Sequence, residues 1–373
     1  MKSPTTIAVA TLLCVAVSIP LHAGSLLGKL TPKPKAIHVA ADTPASELAQ
    51  AWKSTGQRVS TPPGNVLISN FRVIVLTKVA GSASTTAGFS NPDGGSASLS
   101  AFYTLNGLDK DALQAVTDTA YAQLQEDLTA AGYTLVPQSA LDGVKGIEHV
   151  RGDGNVPHVQ FVSAQNGASS GYMFTPRELP ARVPMGAKVL AEDKATADAN
   201  SKSLGRLFSG AAAASGAGRG QWVATEVASH VGATLVDVTY IVTFAEFKGS
   251  GFSNAAGSTA RLSGSVTPII VPTDTVIQVF RPKMGNNGML ALQSPLVAQG
   301  QAFSDLRDTT TTGDKAGSVA GAALSGLLAM GTGSGMSVHR TKRYEVDATP
   351  EHPAILGEAL RAANRSVPAA LAQ

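Results

Sequence analysis

The chain has 373 residues, of which 43% are hydrophobic, 15% charged and 5% aromatic, with a net charge of +3. That length can bury a sizeable apolar core without disulfides or metals. The small charge excludes binding carried by a basic surface, since no cluster is denser than Arg340-Thr341-Lys342-Arg343, and no nucleic-acid partner is expected.

The N-terminus, MKSPTTIAVATLLCVAVSIPLHAGS, has the grammar of a cleavable export signal: Lys2, an apolar run from Ile7 to Ile19, then Leu21-His22-Ala23. Cleavage is expected after Ala23. Pro20 ends the run short of the about 20 apolar residues of a membrane anchor. Leu13 precedes Cys14 where a lipobox needs a small residue. The only cysteine therefore leaves with the signal at 1–23, and the mature chain holds no disulfide, thiolate metal site or cysteine nucleophile. The expected location is the periplasm or the outer membrane's periphery.

Residues 24–62 read as a proline-rich tether with one short helical stretch after Thr43-Pro44. Order is expected from NVLISNFRVIVLTKVA (65–80), a long strand rich in β-branched residues, followed by a small-residue loop, GSASTTAGFSNPDGGSAS. The next segment carries an amphipathic helix in which Leu113, Val116, Ala120, Leu124 and Leu128 recur every three or four residues. Asp109 is its N-cap, Gly132 its stop and Tyr133–Val136 a following strand, giving a βαβ-like unit. HVQFVS and GYMFT read as short strands, and AKVLAEDKATADANSKSLGRLF as a polar helix. WVATEVASHVGATLVDVTYIVTFAEF repeats the helix, glycine (Gly232), strand order. In that strand Val236, Val238, Tyr240, Val242 and Phe244 share one face, with Asp237, Thr239 and Thr243 on the other. ARLSGSVTPIIVP, DTVIQVF and MLALQ read as antiparallel strands. YEVDA and a helix from near Thr349-Pro350, with Ile355, Ala359, Leu360 and Ala363 inward, close the chain.

The motifs of common chemistries fail on spacing. GTGSG (331–335) and GAGRG (216–220) place Met336 and Gln221 where a dinucleotide fingerprint needs its third glycine, and GDKAG (313–317) lacks the P-loop ending. GASSG matches G-x-S-x-G around Ser169, but a strand rather than a helix follows, so a hairpin loop is expected. The histidines show no HxH or HExxH; His149 and His158, with Asp153 between them, make at most an incomplete metal set. Glu126 and Asp127 lie on the polar face of the best helix, and Asp237 is the acid least easily assigned to a solvated surface. No catalytic, cofactor or metal residue is assigned.

Segment 316–335, AGSVAGAALSGLLAMGTGSG, has six glycines and no charge. It is too weakly apolar for a lone membrane span. As a helix it aligns Gly317, Gly321, Leu324, Leu328 and Gly331 along one seam, where glycines admit another backbone. Each glycine costs about 1 kcal/mol of helix propensity, so such a helix needs a partner, for which the matching tract Gly210–Gly220, of the same chain or of a neighbour, is the candidate. A glycine loop is the alternative.

QAVTDTAYAQLQEDLTAAGYTLVPQSAL, an amphipathic helix ending in glycine before a short apolar strand, resembles a signature of the CsgG-like and TolB-N-terminal-like envelope proteins. VASHVGATLVDVTYIVTFAEF is similar to their second signature and EALRAANRSVPAAL to their closing alanine-rich helix. The resemblance implies a periplasmic α/β domain that assembles with itself or with outer-membrane machinery, and it implies no catalytic residues. The missing lipobox departs from the family's many lipoproteins.

The expected fold is α/β (α+β): a mixed sheet with flanking amphipathic helices in a core at 63–373, carrying small-residue insertions at 207–220 and 310–337. The expected function is that of a non-enzymatic envelope or assembly protein without cofactors. It would self-associate or bind an outer-membrane partner, and membrane association needs no transmembrane helix in the mature chain. The alternative is a periplasmic hydrolase or small-ligand-binding protein with a site built from dispersed residues.

Overall fold

The computed structural model describes residues 35–40, 42–55, 59–85, 97–147, 158–163, 167–180, 188–189, 223–254, 257–272, 274–282, 287–314 and 338–373. They form a mixed sheet flanked by helices, an α+β fold. The strands are β1 (Ile37–Val39), β2 (Trp52–Thr55), β3 (Asn65–Thr85), β4 (Ala97–Asn106), β5 (Thr134–Leu135), β6 (His158–Ser163), β7 (Gly167–Phe174), β8 (Lys188–Val189), β9 (Thr234–Asn254), β10 (Gly257–Ile270), β11 (Val276–Phe280), β12 (Gly288–Leu292), β13 (Leu296–Ala298), β14 (Arg307–Asp308) and β15 (Val338–Asp347). The helices are α1 (Ala45–Ala49), α2 (Lys110–Ala130), α3 (223–231) and α4 (His352–Leu371).

At the centre β3 and β9 pair in parallel from Val66↔Thr234 to Val75↔Val242. Both strands are buried on both faces there, which is why each reads as a nearly continuous run of β-branched residues. One face packs under α2 and α4. Its core joins Phe71, Val73 and Val75 of β3 and Val238, Tyr240 and Val242 of β9 to Leu124 and Leu128 of α2 and Leu360 and Val367 of α4. Phe71 meets Tyr121 and Tyr240 edge-on, with centroids 5.7 and 5.8 Å away. Asn364 fastens the three elements: its amide accepts from the Tyr240 hydroxyl at 2.8 Å and donates to the Ala120 carbonyl at 2.6 Å.

The opposite face has two apolar clusters. Leu67 and Leu235 pack with α3 and Leu141, and Ile74, Leu76 and Ile241 pack with Tyr103, Phe303 and Val346. Between them, at Asn70, Arg72, Asp237 and Thr239, the face is polar.

The caps are as expected. Asp109 accepts from the Ala112 amide at 2.9 Å, and Gly132 (φ +89°) and Gly232 (φ +66°) end α2 and α3 in the left-handed region that a side chain resists. The βαβ-like unit is present, with β5 parallel to β3 at Asn65↔Thr134 and Val66↔Leu135, though β5 spans only two residues. α4 starts at His352, with Pro353 in its first turn. β10, β11 and β12 are antiparallel as read.

Four readings change. From residue 35 onward the stretch assigned to a tether carries, besides the expected short helix after Thr43-Pro44 (α1), the strands β1 and β2. β1 pairs with β13 and β2 with β12, and the Trp52 indole donates to Ser366 at 2.8 Å, so burying Trp52, Leu48 and Val39 holds this segment on the core. Both ends of the expected small-residue loop (81–98) are strand: β3 runs to Thr85 and β4 begins at Ala97, burying alternate residues, while 86–96 lie outside the described residues. Lys188-Val189, placed in a polar helix, is strand β8 beside β6; the rest of that segment lies outside the described residues. Ser169 sits within β7 opposite Phe161, and not in the hairpin loop.

Above Val75 and Val242 the sheet divides. Val73–Val75 pair with β9 on one edge and β7 on the other, while Lys78 pairs with Ser170 of β7 and Thr104 of β4. β4 therefore takes over the edge of β3 that β9 holds lower down. β9 turns instead to β10, pairing from Val242↔Ile270 to Asn254↔Gly257. The results are two antiparallel arms, β3–β4 paired over Lys78–Thr85 and β9–β10 paired over Val242–Asn254, roughly 25 and 40 Å long at about 3.3 Å per residue. β15 lies parallel to β4 along its whole length.

Candidate functional site

The proposed seam, Gly317, Gly321, Leu324, Leu328 and Gly331, lies outside the described residues, as do Gly210–Gly220 and the segment 1–23 expected to be an export signal. What flanks the seam is described. Arg343 of β15 grips Asp314 with a forked pair of bonds, Nε to Oδ2 at 2.9 Å and Nη2 to Oδ1 at 3.2 Å, and Thr311 also donates to Asp314. These bonds hold the Asp314 carboxyl down at about 2. The glycine-rich segment thus leaves from a pinned turn and returns into β15.

Ser169 is buried at mid-strand, without the strand-to-helix turn that exposes a nucleophile. His149 and Asp153 lie outside the described residues, and His158 opens β6 opposite Tyr172. Among the described residues no group of three His, Cys, Asp or Glu is placed to hold a metal ion.

Asp237 is engaged in a buried polar cluster. Its Oδ1 takes Arg72 Nη2 at 2.7 Å and its Oδ2 takes Asn70 Nδ2 at 3.2 Å, while Arg72 Nε donates to Thr239 Oγ1 at 2.8 Å. The parallel register places Asn70 opposite Asp237 and Arg72 opposite Thr239. Asp237 is 3% and Arg72 5% exposed, so the pair spans the two central strands away from solvent. Its geometry suits fixing β3 against β9, because a slip by one residue would strand both charges.

A second constellation faces a cleft of 510 Å³ where α2 and α4 end beside α1. Alanines 45, 130, 131, 369 and 372 and prolines 63 and 368 form its apolar walls; Asp127, Tyr133 and Arg365 are its polar groups. Nε and Nη2 of Arg365 are both buried and hydrogen-bonded to nothing. Burial pushes the Asp127 carboxyl above its ordinary range, the Arg365 cation pulls it back and Glu126 raises it further. Burial likewise raises the Tyr133 phenol, whose hydroxyl donates to the Thr61 carbonyl at 2.7 Å.

The sequence pattern puts Asp127 on a solvated helix face, whereas the structure half-buries it beside Arg365. The available signal was a lone arginine inside AANRSVPAAL, between Asn364 and Ser366, which are both fully buried. Among the described residues no helix is long and apolar enough to cross a membrane. In comparisons with protein-family models, with curated proteins and with solved structures, the chain finds no match.

Proposed function

We propose that this chain is a non-enzymatic, exported envelope protein, periplasmic or outer-membrane-associated, which assembles with copies of itself through its arms. The observation that carries the reading is the division of the sheet. Among the described residues no strand pairs with the outer edge of β10 between Gly257 and Val266, although its inner edge is laddered to β9 throughout. A long strand edge with free backbone donors and acceptors is a template for another strand. Residues 243–266 carry only Glu246, Lys248 and Arg261 as charges among many glycines, serines and alanines. The charged side chains that usually block edge pairing are therefore few. The export signal and the resemblance to self-assembling envelope proteins agree with this reading.

A register-preserving truncation tests it. Lys248↔Ser263 is a cross-strand pair of the same alternating type as the closing pair Asn254↔Gly257. Replacing residues 249–262 by Asn-Gly, a two-residue hairpin turn, shortens the arm and spares the core. Sedimentation should show the native chain as an oligomer and the shortened chain as a folded monomer. An oligomer of unchanged size after truncation would overturn the proposal.

A further inference from the structure

The β9–β10 arm leaves the sheet as a two-stranded ribbon with an edge on either side. β3 cannot follow β9 upward, because from Lys78 onward β4 occupies the edge of β3 that β9 holds as far as Val75. β4 in turn has β15 along its far edge. Beyond Val242 the inner edge of β9 therefore pairs with no strand among the described residues, and between Gly257 and Val266 neither does the outer edge of β10.

The turn fixes which backbone groups these edges offer. Asn254 and Gly257 flank a two-residue turn, and strand residues so close together can pair only by exchanging both hydrogen bonds with each other. Counting back in twos, the N–H and C=O groups that turn outward belong to the even-numbered residues 258–266 of β10 and the odd-numbered residues 245–253 of β9. None of these residues is charged. The arm's charges, Glu246, Lys248 and Arg261, all fall at inward-bonded positions. β15 is the contrast, with Arg340, Lys342, Arg343 and Glu345 in one strand, the kind of charge that blocks edge pairing.

We infer that copies of this chain join head to tail, the outer edge of β10 in one copy pairing with the inner edge of β9 in the next, so that the arms close into one ring of strands. The junction presupposes the self-assembly proposed above and names its partner surface.

A twofold pairing of β10 with its own copy would leave every β9 edge open, whereas the head-to-tail junction uses both edges of each arm. Arg261 is the only charge on β10 and sits at the middle of the 257–266 edge, so the twofold pairing would also bring two arginines together. On β9 the same edge meets Glu246 as well as Lys248. Rotation about an axis along the ribbon preserves strand direction, so β9 and the neighbour's β10 meet antiparallel, as they do within the hairpin. Head-to-tail contacts form a ring when the rotation closes, and the twist and tilt of successive strands supply that rotation.

Proline removes one backbone N–H and is accepted where that N–H faces away from the partner strand. Ala260→Pro with Gly264→Pro blocks the β10 edge, and Gly249→Pro with Ser253→Pro blocks the β9 edge. In sedimentation velocity the native mature chain should run as one oligomer whose size does not grow with concentration. Each blocked form alone should run as a monomer with native circular dichroism. An equimolar mixture of the two should give a dimer, because one intact junction remains between them. Lysine at the same four positions keeps the backbone donors and places charge on the edges; it gives the same test, with the same outcomes, where proline unfolds the arm. A β9-blocked form that still associates alone overturns the head-to-tail junction, as does a mixture that stays monomeric. A native species that grows steadily with concentration overturns the closed ring. Self-assembly through the arms is refuted by a different result: a native chain that is monomeric, or an oligomer unchanged when residues 249–262 are replaced.

Discussion

Acidification should weaken this fold through one histidine. His352 opens α4 at 1% exposure, its Nδ1 is buried without a hydrogen bond, and its ring lies 5.2 Å from that of Phe303. Burial pushes the imidazole down from 6.5 to about 4, and the positive end of the helix also disfavours a cation there. Because the folded value lies below the unfolded one, the unfolded chain takes up the proton first. The stabilisation is complete above about pH 6.5 and is lost as the pH falls towards 4. Each pH unit between the two values is worth about 1.4 kcal/mol, so the whole loss is about 3 kcal/mol. Urea melts of the native chain and of His352→Phe at several pH values between 7.5 and 4 give the assay. Carboxylates shared by both proteins, including Asp127, cancel in the difference. The native chain should lose about 3 kcal/mol relative to the variant across this window. A pH-independent difference would refute the reasoning.

Three further outcomes are expected. Asp237→Ala leaves the Arg72 guanidinium buried without its carboxylate and should cost about 3–5 kcal/mol in chemical denaturation; Arg72→Met combined with Asp237→Leu should recover most of it, and a silent Asp237→Ala would contradict the buried pair. At Gly171 an added Cβ would clash with the Val75 carbonyl oxygen and lie 2.8 Å from Leu76 Cα, so Gly171→Ala should lower stability by at least about 1–3 kcal/mol, with an unchanged melting curve as the contrary result. If the glycine seam packs as a helix, Gly321→Leu should cost about 1–3 kcal/mol while Ala322→Leu stays within about 0.5; equal, silent effects would make the segment a loop.

The elements with local signals were legible in the sequence. α2 announces itself by Asp109, its apolar spacing and Gly132, and β9 by its β-branched run after Gly232. What escaped depends on distant partners. The start of β4, Ala97-Ser98, looks like loop because it continues a run of small residues, yet Ala97, Leu99, Ala101, Tyr103 and Leu105 alternate inward once β3 and β15 flank the strand. β1 and β2 are three and four residues long, too short for periodicity to reveal, and they exist because β13 and β12 offer edges. Asp237 stood out by its place on a strand face, but its partner Arg72 was legible only as a charge inside an apolar run. The Arg365 cleft was illegible for the same reason: Asp127 and Arg365 belong to helices far apart in the chain, and only the packing of α2 on α4 brings them together.

The most direct test of the assembly proposal is sedimentation velocity on the mature native chain, recovered from fractionated cell envelopes. The proposal predicts a discrete oligomer in the periplasmic or outer-membrane fraction, converted to monomer when residues 249–262 are replaced by Asn-Gly. A native chain that sediments as a monomer at every concentration would contradict it.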